Sequence, residues 1–219
     1  MPTEPVTDPA TARARAYFEE FADRYDQEAE DAGWSPNRYL ADSLSDVGPV
    51  ADILDLACGT GDTLAELARA VPGAALTGVD IAPAMVERSA ARVPSARCVR
   101  ADLSAFVETC DERFDVVTAI GGLEFTPDLP RVLSGLGHLV RPGGHMVLTY
   151  EPVLVGWDPQ STRVETNLGS NGLELTTFRW EPGEVAAALS GWTTVESRLM
   201  AAYRRDDVPT FYGWVHVRR

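Results

Sequence analysis

Residues 53–62 read Ile-Leu-Asp-Leu-Ala-Cys-Gly-Thr-Gly-Asp, and a second apolar run, 74–79, ends on Asp80. An apolar strand that breaks into small residues and then opens a helix lets the backbone come close to a ligand. One carboxylate, Asp55, stands ahead of the glycines, and Asp80 closes the neighbouring strand. This pairing suits a ligand with an amine and a ribose better than one with a pyrophosphate. A dinucleotide fingerprint requires Gly-x-Gly-x-x-Gly. Here Gly59 and Gly61 are followed by Leu64 at the last position. Asp55 and Asp62 also put negative charge where a pyrophosphate would lie, against the pull of the helix N-terminus. A nicotinamide-dependent oxidoreductase is therefore disfavoured.

On either side of this turn the pattern alternates between strands and helices. Strands are expected at 53–56, 74–79, 96–100, 114–120 and 145–150, and helices at 63–70, 83–92 and 129–140. Pro83 suits a first helical turn, and Arg141-Pro-Gly-Gly is a helix stop. Val116 and Val117 lie in an uninterrupted apolar run, as in a strand covered on both faces. Such alternation predicts a doubly wound, mostly parallel α/β sheet. Runs at 192–203 and 210–218 read as an antiparallel pair that finishes the sheet, after a helix near 181–189. The stretch 151–178 reads as a long polar loop with strand character only at 173–178. Before the sheet, Tyr17, Phe18, Phe21 and Tyr25 recur at helical spacing, and a second helix is expected over 36–47. Residues 1–10, with three prolines, are expected to be disordered. One domain is expected over 1–219, with 11–47 as a helical lid and 51–219 as core.

The acids sit in a shared register: Asp55 after the first strand, Asp80 after the second and Asp102 after the third. In open α/β sheets ligands bind at these carboxyl ends, where the winding reverses. The glycine–acid core over about residues 20–150 resembles the class I S-adenosylmethionine (SAM)-dependent methyltransferases, specifically small bacterial enzymes acting on metabolites or natural products. The resemblance implies a Rossmann-like fold, SAM as cofactor and S-adenosylhomocysteine as product. It gives Asp80 to the ribose hydroxyls, Asp102 and Leu103 to the adenine edge, and Ile81 and Met85 to its faces. Asp55, Ala57, Gly59 and Gly61 would hold the amino-acid end, with Ile120 nearby at the end of the fourth strand. Tyr25, in Phe21-Ala-Asp-Arg-Tyr-Asp26, matches a lid tyrosine that lies over the cofactor. Tyr17 and Trp34 become substrate-pocket candidates. Glu124, in Gly121-Gly-Leu-Glu-Phe125, would face the acceptor as a general base or cation anchor, and Glu151 is a further substrate candidate. Each residue also has a plainer reading: Asp80 and Asp102 as helix caps, Met85 and Tyr25 as packing, Glu124 as a solvated loop acid.

Composition narrows the acceptor. The net charge is −14 across 219 residues, and no basic stripe is present, which argues against nucleic acid. A small-molecule acceptor is expected. All 19 basic residues other than histidine are arginine, so Schiff-base chemistry on lysine is excluded. The three cysteines and three histidines are scattered, and no metal site can be assembled from them. The histidines fall away from the strand ends, and structural roles are expected for them. No run of 18 apolar residues suggests a membrane span, and no signal peptide is recognisable, so a cytoplasmic protein is expected. The absence of an evident base leaves a rival reading open. In it, the fold holds SAM or S-adenosylhomocysteine and promotes a rearrangement or cyclisation without methyl transfer.

Overall fold

The computed structural model describes residues 8–158, 160–169, 172–205 and 207–219. Parallel strands β1 (Asp52–Leu56), β2 (Ala75–Asp80), β3 (Arg97–Arg100), β4 (Phe114–Ala119) and β5 (Val140–Tyr150) make most of the main sheet. After them come β6 (Val164–Leu168), β7 (Glu174–Phe178), β8 (Thr193–Arg205) and β9 (Val208–Arg218). Among the described residues the main sheet has seven strands in the order β3-β2-β1-β4-β5-β9-β8, while β6 and β7 form a separate antiparallel pair. β9 runs antiparallel to both β5 and β8. β1 pairs with β2 on one side and with β4 on the other. The winding therefore reverses at β1, and the crevice opens beside the 53–62 turn.

The alternation of side chains along the strands divides the core into two layers. Leu54, Leu56 and Val117 join one layer, with α6 (Leu103–Thr109), α7 (Leu129–Leu139) and α8 (Pro182–Ala188). Ile53, Val116 and Val147 join the other, with α3 (Leu40–Leu44) and α4 (Asp62–Ala70). Val116 and Val117 are both fully buried, each burial contributing about 2 kcal/mol. α1 (Pro9–Phe21) packs against α5 (Pro83–Arg92), and α2 (Tyr25–Asp31) follows α1.

Several boundaries differ from the expectations. Residues 1–7 lie outside the described residues, but Pro9 and Ala10 are helical, because Asp8 accepts the amides of Ala10 and Thr11 at 2.9 Å each. The 36–47 segment is a 3₁₀ turn, Pro36–Tyr39, followed by the five-residue α3. α6 was not expected, nor was β6, whose side chains are mostly exposed. β5 begins at Val140 rather than His145, pairing Val140 with Phe114 ahead of an irregularity that shifts the register. No helix among the described residues is long and apolar enough to cross a membrane.

Candidate functional site

The turn after β1 is shaped by backbone conformations that small residues tolerate. Ala57, Gly59 and Gly61 all have positive φ. A side chain at Gly61 would also meet Ser89 Cα at 3.0 Å, so α4 can start here only from glycine. Gly59 N–H donates to Asp80 Oδ2 at 2.9 Å, and Ala82 N–H to Asp80 Oδ1 at 3.0 Å. Asp80 thus joins the two strand ends and orders the start of α5. Burial raises its pKa, and the Ala82, Gly59 and Ile81 amides offset only part of that rise. Asp102 does cap α6, accepting Ala105 N–H at 2.9 Å, and Asp80 orders its own turn, so the capping and site-lining readings of these acids coexist.

Three adjoining cavities lie over the strand ends. The first is lined by Ala57, Asp80, Ile81, Met85, Asp102 and Leu103, with Phe18 and Tyr25 above. The second is lined by Gly59, Thr60, Asp62 and Thr63, with Trp34, Asn37, Arg38 and Ile120. The third is lined by Tyr17, Trp34, Glu124 and Glu151, and by Tyr203 and Tyr212 from β8 and β9. Tyr25 borders all three. Thirteen of the fifteen residues singled out in the sequence line these cavities. Asp55 and Gly61 do not line them; they shape the turn from behind. Asp55 is buried, accepts Thr118 Oγ1–H at 2.6 Å, and has no partner on Oδ2. Burial pushes its pKa up to about 7.

Ion pairs and hydrogen bonds join the N-terminal helices to α5 and to the glycine turn. Arg92 meets Asp26 at 2.5 Å, and Thr60 Oγ1 donates to the same carboxylate at 2.6 Å. Ala84 N–H donates to Glu19 at 2.9 Å, and Arg88 pairs with Asp23. Tyr25 packs edge-on against Phe18 and Phe21, so its packing role is real alongside its place over the cavities.

Glu124 is buried in a 3₁₀ turn, Leu123–Phe125. Tyr212 O–H donates to its Oε1, and its Oε2 has no partner. Burial, and next the Glu151 carboxylate, push its pKa up to about 8. Glu151 is engaged differently. Arg179 Nε donates to it at 2.8 Å and Tyr203 O–H at 3.0 Å, making it part of the cavity wall. His145 Nδ1 and His216 Nε2 lie 2.8 Å apart, away from all three cavities. No cluster that could hold a metal ion is found among the described residues. Sequence reading missed Tyr203, Arg205 and Tyr212. Their signal was the alternation of the last two strands, which puts Tyr203 and Arg205 on one side of β8.

Residues 53–144 match the family model described as a methyltransferase domain. Trans-aconitate 2-methyltransferase of Deinococcus radiodurans is 35% identical over 123 residues, covering 56% of this chain and 45% of that protein. The enzyme of the same name from an Enterobacter species is 33% identical over 125 residues, 52% and 49% of the two chains. The chain thus spans about half the length of the curated relatives it matches. Among solved structures, magnesium protoporphyrin IX methyltransferase from Synechocystis with bound SAM superposes with a TM-score of 0.72 at 16% identity, over 99% of this chain and 100% of that one. 1,6-Didemethyltoxoflavin-N1-methyltransferase from Burkholderia thailandensis gives 0.65 at 18% identity, over 100% and 93%. Both likenesses show the shared fold.

Proposed function

We propose that this chain, whose residues 53–144 match a methyltransferase domain, is a class I SAM-dependent methyltransferase that transfers the methyl group of SAM to a small-molecule acceptor in metabolite or natural-product biosynthesis. The observation that carries this reading is the junction of three cavities at Tyr25, one of them floored by the Asp80–Gly59 pair. The residues fit the cofactor chemically. Asp80 keeps lone pairs for two ribose hydroxyls beyond the two amides it accepts. Ile81, Met85 and Leu103 offer apolar walls to a flat base, with Asp102 at its edge. Ala57 and Gly59 leave room at the second cavity for the amino-acid end, and Asp55 and Gly61 hold that turn from behind.

When bound, SAM supplies a methyl group on a sulfonium centre. The chain's part is to position an acceptor in line with that methyl and to exclude water, which can provide much of the acceleration. Tyr25 covers the reacting region; Tyr17, Trp34, Glu124 and Glu151 border the acceptor. The lid and the sheet act as one domain in this reading. The three free cysteines suit a reducing, cytoplasmic setting. The relatives' names put carboxylates among the acceptors to screen, beside ring compounds.

Calorimetric titration with SAM, S-adenosylhomocysteine and NADH tests the reading. Micromolar binding of the first two and none of NADH is expected. Asp80→Asn should weaken S-adenosylhomocysteine binding about 100-fold, the scale of two charge-assisted hydrogen bonds, with a cooperative melt retained. Wild-type affinity in that variant would remove the ribose assignment. Turnover of an acceptor without S-adenosylhomocysteine release would favour the non-methylating alternative.

A further inference from the structure

We propose that the third cavity takes a flat, uncharged aromatic or heteroaromatic acceptor whose reacting O–H or N–H is received by Glu124, with Tyr212 holding that carboxyl in position. The inference rests on the methyltransferase reading above and adds the acceptor's chemistry. The cavity lies between two aromatic walls. On the lid side, Tyr17 and Phe21 have ring centroids 5.2 Å apart, and Phe21 and Tyr25 6.1 Å. On the sheet side, Trp34 and Tyr212 are 5.7 Å apart, and Tyr203 and Tyr212 6.0 Å. Rings gain from stacked or edge-on contact with other rings.

The polar groups decide the charge of the ligand. Of the three guanidiniums near the cavity, those of Arg179 and Arg205 are already paired with carboxylates. Arg179 is fully buried between Glu151 at 2.8 Å and Glu165 at 2.5 Å. Arg205 meets Glu165 at 3.4 Å and donates to Tyr203 Oη at 2.9 Å, and Arg204 donates to the Asp207 carbonyl. In the ionised form that accepts a proton, Glu124 at the inner end would repel a carboxylate. A cation would meet Arg204 and Arg205, which line the same cavity, and an ammonium nitrogen has no lone pair to methylate. A neutral ring satisfies both constraints.

Glu124 supplies the specific contact. It is 2% exposed, its Oε1 is taken by Tyr212, and its Oε2 is unpartnered. A buried oxygen left bare is costly, and an acceptor's O–H or N–H would satisfy it. In the transfer, the acceptor's lone pair forms the bond to the methyl carbon as the carbon–sulfur bond breaks with its electrons to sulfur. The proton displaced from oxygen or nitrogen passes to Oε2 of the Glu124 carboxylate.

Indole and 1-methylindole, identical in ring but differing in the N–H, test this by calorimetry at pH 9, where Glu124 is a carboxylate, on protein saturated with S-adenosylhomocysteine. Indole is expected to bind at least tenfold more tightly than 1-methylindole. In Glu124→Gln the amide oxygen takes the Tyr212 hydroxyl, leaving the NH₂ facing the cavity as a donor. The preference should then fall to about one, while S-adenosylhomocysteine affinity stays as in wild type and the melt is not lowered. The proposal is overturned if wild type does not separate the two indoles or binds neither. It is equally overturned if Glu124→Gln keeps the preference, or if citrate or tetramethylammonium binds more tightly than indole. Failure of S-adenosylhomocysteine itself to bind would strike the underlying methyltransferase reading instead.

Discussion

Asp55 and Glu124 are carboxyl groups kept from water, each with one oxygen unpartnered. Burial lifts their pKa values to about 7 and about 8. Both bind protons more tightly in the folded chain than in the unfolded one. Between about pH 4 and about pH 8 the native state therefore holds the more protons, and stability falls as pH rises through that window. The contribution is complete below the unfolded values and lost above the folded ones. Removing the charge should remove the loss. Asp55→Asn and Glu124→Gln are each expected to be more stable than wild type at pH 9, by about 2 kcal/mol, and near parity at pH 4. Urea denaturation at the two pH values checks this, and parallel shifts at both would remove the buried-charge account. The proposed role of Glu124 as proton acceptor predicts a rate that climbs with pH through about 8, because only the carboxylate takes a proton. In Glu124→Gln that limb should disappear, together with roughly 10²-fold or more of the rate. Destabilising groups retained at a site are what a stability–function compromise produces.

At the scale of elements, the lid is joined to α5 by contacts that open easily. The Arg92 and Asp26 side chains are 32% and 43% exposed, and those of Arg88 and Asp23 39% and 89%. Exposed pairs of this kind contribute about 0–1 kcal/mol each, so aromatic packing carries the rest of closure. Arg92→Ala should speed S-adenosylhomocysteine release several-fold and raise amide exchange across Tyr25–Asp31, with the global melt almost unmoved. Stopped-flow release and hydrogen exchange read the two effects; a lower melt with unchanged release would make Arg92 a core residue. Which elements were legible in the sequence follows from the same physics. β1 and β4 are buried on both faces, so their apolar runs stand out at any register. α6 buries only Val107 within its span, and β6 is a hairpin strand with an exposed face, so neither leaves a periodic signal. The Arg141-Pro-Gly-Gly stop does end α7, yet β5 runs straight through it. A helix stop does not exclude a strand, whose pairing is decided by a neighbour far along the chain.

Across the whole molecule, the two halves of the site differ in how the chain builds them. The side proposed for the cofactor comes from successive strand-to-helix turns, so Asp55, Asp80 and Asp102 could be read in order from one repeated pattern. The side proposed for the acceptor is assembled from α1, the Leu123–Phe125 turn, the end of β5, β7, and the β8–β9 pair. Tyr203 and Tyr212 reach Glu151 and Glu124 across more than 50 residues of sequence, and no local spacing announces such a meeting. Arg179 joins these parts. Its guanidinium has no exposure, and it links Glu151 at the end of β5 to Glu165 on the hairpin, while Arg205 of β8 meets the same Glu165. Such a buried charge network gives little net stability over a well-packed apolar one, but removing one member leaves the others uncompensated. Arg179→Met is therefore expected to cost about 3–5 kcal/mol in urea unfolding. The additional change Glu151→Gln, which takes away the stranded charge, should recover part of that loss. The cofactor cavities lie on other strand ends, so S-adenosylhomocysteine affinity should hold in both variants below their melts, while binding in the third cavity is lost. A cost under about 1 kcal/mol, or no recovery in the double variant, would mean that Arg179 is not the member that keeps the hairpin, β5 and β8 in register around the acceptor.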